Sequence, residues 1–274
     1  MWFLPSCDAN ILVTGFEPAV TITKYIVVVP PFAEEMNKSR KACSEFARQV
    51  AKPSDSGTAV YLIDLFGCGD SEGELCDASW HTWSCNINDL VAQLSAENPE
   101  AKCTLLGLRI GALLALDCAI KDVNNNQPHV IFWQPALNAS QYLNQFFRMK
   151  IAASMVTGEK LTMTQLRSTL CQEKYVEVSG YTLSLAMVES LESLRLHELC
   201  RLPNWLNVLW IEVGSKSKGK LLPLSEKIIM RWQQHNAVVS KFCIDNAFWQ
   251  SAEITTAPVL VRQTVDGLSG AIYE

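Results

Sequence analysis

Apolar residues follow two rhythms along this chain. Short, continuous runs rich in β-branched and aromatic residues alternate with longer stretches in which apolar positions return every three or four residues. Residues 24–32 read Lys-Tyr-Ile-Val-Val-Val-Pro-Pro-Phe, a run stopped by a proline pair. Such a run predicts a strand covered on both faces, as in parallel sheets. From about Glu34 to Val50 the period changes. Cys43, Phe46, Ala47 and Val50 share a helical face, and Glu34 and Glu35 suit the positive end of that helix. The alternation repeats with a strand over 58–65, a helix over 80–97, a strand over 103–108, a helix to about 121 and a strand over 130–133. These four strands, separated by helices, predict a doubly wound, mainly parallel α/β sheet with right-handed crossovers.

The rhythm then breaks. From about residue 138 to 202 no strong strand is predicted. Tyr142, Phe146, Met149, Ala153 and Val156 mark an amphipathic helix expected to turn its first three residues inward, and Thr182 to Arg195 reads as a second helical run. A block of this length with helical patterning predicts an inserted cap rather than a loop. Strand character returns at 207–213 and 238–244, with a helix opened by Pro223 between them. Residues 1–23 suit an edge hairpin. The expected organisation is a core of residues 1–137 and 203–274 with a helical cap at 138–202.

Composition removes several function classes. The 274 residues are 49% hydrophobic, with 23 Lys and Arg against 28 Asp and Glu for a net charge of −5. A disordered chain is excluded, and without a basic stripe no nucleic-acid partner is expected. Lys216, Lys218 and Lys220 read as a solvated loop. Residues 103–120 are mostly apolar, but Arg109 and Asp117 make a membrane span expensive. The first ten residues lack a basic start and a long apolar core, so no signal peptide is expected. Ten dispersed cysteines with no C-x-x-C pair and no zinc spacing predict reduced thiols, a cytoplasmic location and no metal or cofactor.

In open α/β sheets, chemistry gathers beyond the carboxyl ends of the strands. There Gly107-x-Arg109-x-Gly111 has the frame of a nucleophile elbow, G-x-S-x-G, between a strand and a helix. Arg109 occupies the nucleophile position, and a guanidinium is no nucleophile. The acid expected after the next strand is ambiguous: Glu212 falls inside the strand pattern and Gly214-Ser215 follow it. No histidine follows the last strand at Asp245 to Trp249. The four histidines are His81, His129, His197 and His235. The oxyanion-hole frame survives, with the Ile110 N–H as one donor. Pro30 and Pro31 have no N–H, so Phe32 or Ala33 supplies the other.

Three segments, Pro30 to Arg40 (PPFAEEMNKSR), Asp64 to Ser71 (DLFGCGDS) and Gly107 to Ala112 (GLRIGA), closely resemble the type 2 exosortase A system-associated hydrolases. The likeness runs from about Phe3 to Trp249. It implies an α/β-hydrolase fold and a setting beside exosortase, PEP-CTERM sorting and exopolysaccharide genes. It implies a divergent ester or acyl-group hydrolase or transferase in envelope processing, with proteins of that system as partners.

The residues themselves leave two readings open: such an enzyme, or a non-catalytic pseudo-hydrolase that binds a ligand or serves assembly. Arg109 either offers a fixed cation to a small anionic or acyl-bearing ligand or pairs with Glu34, Glu35 or Asp70. Cys68 is a substitute nucleophile or inert packing, and His81 a base or a cover for a helix start. Trp80, Trp83, Trp133, Phe248 and Trp249 read as core or pocket wall. Phe146 and Phe147 line an acyl pocket or pack on the sheet. The candidate ligand-binding set is Arg109, Ile110, Phe32, Ala33, Glu34, Asp70, Cys68 and His81.

Overall fold

The computed structural model describes residues 1–52, 56–156, 158–214 and 219–268. Ser215, Lys216 and Lys218, singled out above, lie outside the described residues. The opening segment forms the edge hairpin β1 (Trp2–Ser6) and β2 (Ala9–Phe16). Then come β3 (Lys24–Val29), α1 (Ala33–Ala51), β4 (Thr58–Ile63), α2 (Trp80–Glu97), β5 (Lys102–Leu108), α3 (Gly111–Lys121) and β6 (His129–Trp133). The predicted strand at 24–32 ends at Val29 because Pro30 cannot donate to a ladder.

Between β6 and the next core strand the chain forms α4 (Ala139–Val156), α5 (Met163–Glu173), a hairpin of β7 (Tyr175–Val178) and β8 (Tyr181–Ser184), and α6 (Leu185–Ser193). The core resumes with β9 (Val208–Gly214), α7 (Pro223–Trp232), β10 (Val238–Ile244) and α8 (Pro258–Leu268). Four structural details differ from the sequence pattern. The block at 138–202, where no strong strand is expected, holds the β7–β8 hairpin. The run predicted as one helix at 182–195 begins as strand, and Ser184 ends that strand and caps α6 by accepting from Met187 N. Met149 is 41% exposed, whereas Leu143 and Phe147 are fully buried. Helix α8 was not expected at all.

The eight core strands are ordered β1-β2-β4-β3-β5-β6-β9-β10. Strand β2 runs antiparallel to both neighbours, and all other neighbouring pairs are parallel. This is the α/β-hydrolase fold. Two apolar layers hold it, and strand pleat sorts the residues between them. Phe132 faces one layer and meets Trp210 at 5.5 Å between ring centres. Its neighbour Trp133 faces the other, where it meets Phe46 of α1 at 5.2 Å and donates to Thr264 of α8 at 2.9 Å. Helices α1 and α8 thus cover one face of the sheet, while α2, α3 and α7 cover the other.

Among the described residues no helix is long and apolar enough to cross a membrane. No group of three or more metal-binding side chains occurs among them. All ten cysteines are free thiols.

Candidate functional site

Strand β5 passes into α3 through a sharp elbow at Arg109 and Ile110. Arg109 sits there at φ +55°, a left-handed conformation that costs a non-glycine residue energy. Backbone bonds pin it on both sides. Its N–H donates to Trp133 O at 3.1 Å, and its own carbonyl accepts from Ala112 and Ala136. The flanking glycines make the turn possible. A Cβ on Gly107 would lie 2.3 Å from Ala112 Cα, and one on Gly111 would meet the Val29 and Pro30 carbonyls at 2.4 and 2.5 Å.

The elbow lifts Arg109 to the floor of a cavity of about 220 Å³ at the carboxyl ends of the strands. The Arg109 and Glu35 side chains are 14% and 22% exposed. Arg109 Nε lies 3.3 Å from Glu35 Oε1, and Nη1 donates to Gln134 O at 3.4 Å. Tyr142 of α4 donates its hydroxyl to Glu35 Oε2 at 2.9 Å. The guanidinium carbon lies 5.8 Å from the Tyr142 ring centre and 5.5 Å from that of Trp249, so two aromatic faces cover the cation. Burial holds the Glu35 carboxyl above its usual range, outweighing Arg109 and then Tyr142, which pull it down. Burial, with the nearby Glu35 charge second, also pushes the Tyr142 phenol well up.

Two helices begin beside this cavity. Neither Phe32, which starts α1, nor Ile110, which starts α3, supplies a side-chain cap. Among the described residues the Ile110 and Phe32 N–H groups have no protein acceptor. Open helix starts present N–H groups and partial positive charge. Together with Arg109 they favour an anion or a polarised carbonyl oxygen.

The candidates from sequence divide. Phe32, Ala33, Glu34 and Arg109 line the cavity together. Ile110 is buried directly after Arg109 in the chain and offers only its backbone. Cys68 lines a neighbouring cavity of about 250 Å³ with Tyr181, and burial pushes its thiol up to about 12. Asp70 is exposed, and its N–H is taken by Asp64 Oδ2 at 3.0 Å. His81 is exposed on α2, 3.6 Å from Cys85 Sγ and outside the cavity lining.

The other acids near the carboxyl ends are occupied. Glu212 is 2% exposed and accepts from Trp210 and from Leu222 N. Asp245 accepts from the N–H groups of Val259 and Leu260 and so caps α8. Trp249 stands in the segment after the last strand where a hydrolase histidine is expected. No serine, cysteine or histidine is among the described residues lining the 220 Å³ cavity. The candidate set omitted Glu35, Tyr142, Gln145 and Trp249. The acidic first turn of α1 and the aromatic pair after β10 were the available signals for Glu35 and Trp249.

Residues 22–179 match the family model described as serine aminopeptidase, S33, which is more than half of the chain. The chain belongs to the serine aminopeptidase S33 family. Solved α/β hydrolases share the fold of this S33 member across nearly its whole length. Est1E from Butyrivibrio proteoclasticus, solved with ferulic acid bound, superposes with a TM-score of 0.71 at 11% identity, covering 98% of each chain. A highly thermostable carboxyl esterase from Bacillus coagulans, in complex with glycerol, gives 0.63 at 13% identity and 99% of each chain. Proline iminopeptidase from Mycobacterium smegmatis gives 0.57 at 12% identity, covering 97% of this chain and 96% of its own. No curated protein matches the S33 chain in sequence.

Proposed function

We propose that this S33-family chain uses the hydrolase cavity to bind a small carboxylate or acyl-bearing ligand, without cleaving it by nucleophilic attack from the elbow. The observation that carries this reading is Arg109 at the elbow, oriented by Glu35 and covered by Trp249. A fixed cation beside two uncapped helix starts is an anion site. Phe32, Phe146, Met149 and Trp249 supply apolar wall for the rest of the ligand. The volume is below the roughly 300–1,000 Å³ of pockets for drug-sized ligands, which favours a compact occupant. The resemblance to exosortase-associated proteins supports a cytoplasmic role beside exopolysaccharide and PEP-CTERM processing, with proteins of that system as partners.

One observation favours a second, catalytic reading. Glu35 is a partly dehydrated carboxyl with raised proton affinity, a fit for a general base. It would take a proton from water attacking an acyl carbonyl held by the Ile110 and Phe32 N–H groups, then return it to the leaving group as the bond between that group and the acyl carbon breaks.

The test is calorimetric titration of hexanoate into wild type and Arg109→Gly, with p-nitrophenyl hexanoate turnover measured beside it. Binding that weakens at least about tenfold in the variant, as loss of a charged contact worth about 1.5–3 kcal/mol requires, supports the binding reading. Turnover that disappears in Glu35→Gln supports the second. Stoichiometric labelling of any serine by a fluorophosphonate contradicts both.

A further inference from the structure

The charges of the cavity balance before anything enters. Glu34 and Glu35 face Lys38 and Arg109 in a single lining. Lys38 lies 3.6 Å from Glu34 Oε1, one turn away on α1. Both oxygens of Glu35 are engaged, one by Arg109 Nε and the other by the Tyr142 hydroxyl. The guanidinium is less fully used. Its Nε–H meets Glu35 and Nη1 donates once, to Gln134 O, while Nη2 has no protein acceptor among the described residues. An open edge therefore remains on a cation that already has its counter-ion.

A carboxylate on that edge would place two negative groups against one guanidinium in a half-enclosed cavity. Two carboxylates sharing one site cannot both ionise cheaply, and the proton goes to the one already least stable as an anion. That one is Glu35. The groups facing it are Arg109 from the elbow, Tyr142 from α4, and Lys38 and Glu34 from its own helix. No histidine is among the described lining residues.

We propose that the cavity binds a carboxylate together with a proton, the anion resting on Arg109 and the proton going to Glu35. No bond to carbon forms or breaks. The proton comes from solvent, and one unit of negative charge on Glu35 is replaced by one on the ligand. This rests on the binding reading above and names its ligand class as monocarboxylates. It also makes affinity pH-dependent: it falls by up to about tenfold per pH unit wherever Glu35 is ionised in the free protein. Glu35→Gln imitates the protonated state and should bind the anion without a proton.

The experiment titrates hexanoate into the full chain in phosphate and in Tris, buffers of different ionisation heat, at about pH 6 and about pH 8. Wild type should give buffer-dependent heats at the higher pH that correspond to uptake approaching one proton. Glu35→Gln should give equal heats in both buffers, flat affinity, and tighter binding than wild type at the higher pH. Tyr142→Phe removes a donor to the Glu35 anion, so the pH at which affinity begins to fall should rise. Binding by wild type with no buffer dependence, or weaker binding by folded Glu35→Gln at the higher pH, overturns the proton linkage and leaves the binding reading standing. If Glu35→Gln does not fold, an unshifted profile in Tyr142→Phe overturns it equally. No binding by wild type at either pH overturns the binding reading and this inference with it.

Discussion

The Arg109 guanidinium carbon lies 5.5 Å from the centre of the Trp249 ring, so the turn after the last strand covers the elbow cation. Trp249 is itself 4% exposed and packs edge-on against Phe248 at 5.1 Å. Two separable effects follow. Trp249→Ala should cost about 3–5 kcal/mol of stability through lost packing. A double-mutant cycle of Trp249→Leu with Arg109→Met should return a coupling of about 0.5–2 kcal/mol for the cation and the ring. Denaturant unfolding of Trp249→Ala and of the four proteins of the cycle measures both, and zero coupling would contradict the cation–π contact.

The left-handed backbone at Arg109 sets a second expectation. Arg109→Gly should be more stable than Arg109→Ala by about 0.5–1 kcal/mol, because only glycine adopts φ +55° at no cost. This reverses the usual order of the two residues. Gly111→Ala should do far more damage, since its Cβ would press on two carbonyl oxygens of the neighbouring strand end. Thermal melts of the three variants check this. An Arg109→Ala variant more stable than Arg109→Gly would mean that the elbow relaxes.

Glu35 gives a pH signature with a fixed sign. Its folded proton affinity exceeds its unfolded one, so the folded state holds more protons in the window between the ordinary carboxylate range and the raised folded value. Stability from this group is therefore present below the unfolded pKa and lost as pH rises through the folded one. Wild type should lose stability relative to Glu35→Gln on going from about pH 4 upward. Melting temperatures of the pair across pH report the difference. A difference that grows in favour of wild type would show that Arg109 and Tyr142 outweigh burial.

Helix α4 also leads to a prediction about the proposed cap at 138–202. Leu143 and Phe147 are fully buried, and Tyr142 and Phe146 are 6% and 7% exposed. A chain lacking that block should aggregate through the surface uncovered. A soluble variant with a cooperative melt would contradict the proposed packing.

Much of the core was legible because strands buried on both faces must be apolar throughout, as at Ile26 to Val29 and Val130 to Trp133. The elbow was legible because close approach demands glycine at 107 and 111. The β7–β8 hairpin was not read, since each strand has four residues, too few for alternation to stand out. Its signal was Ser179-Gly180, whose φ values of +53° and +85° suit a tight two-residue turn. On α4 the spacing of Tyr142, Phe146 and Met149 was real. Burial nevertheless follows Tyr142, Leu143, Phe146 and Phe147, and Val156, further along the same stripe, is 89% exposed. The choice of Glu35 over Glu34 or Asp70 as the partner of Arg109 depends on the rotation of α1 against the elbow. Local sequence carries no record of that rotation.

The most direct test of a binding elbow is a crystal structure of the protein soaked with hexanoate. The expected density places the carboxylate within hydrogen-bond distance of the Arg109 guanidinium, with the chain running between Phe146 and Trp249. Hexanoate bound elsewhere with Arg109 still held only by Glu35 and Gln134, or an acyl group joined covalently to a serine or cysteine, would contradict it.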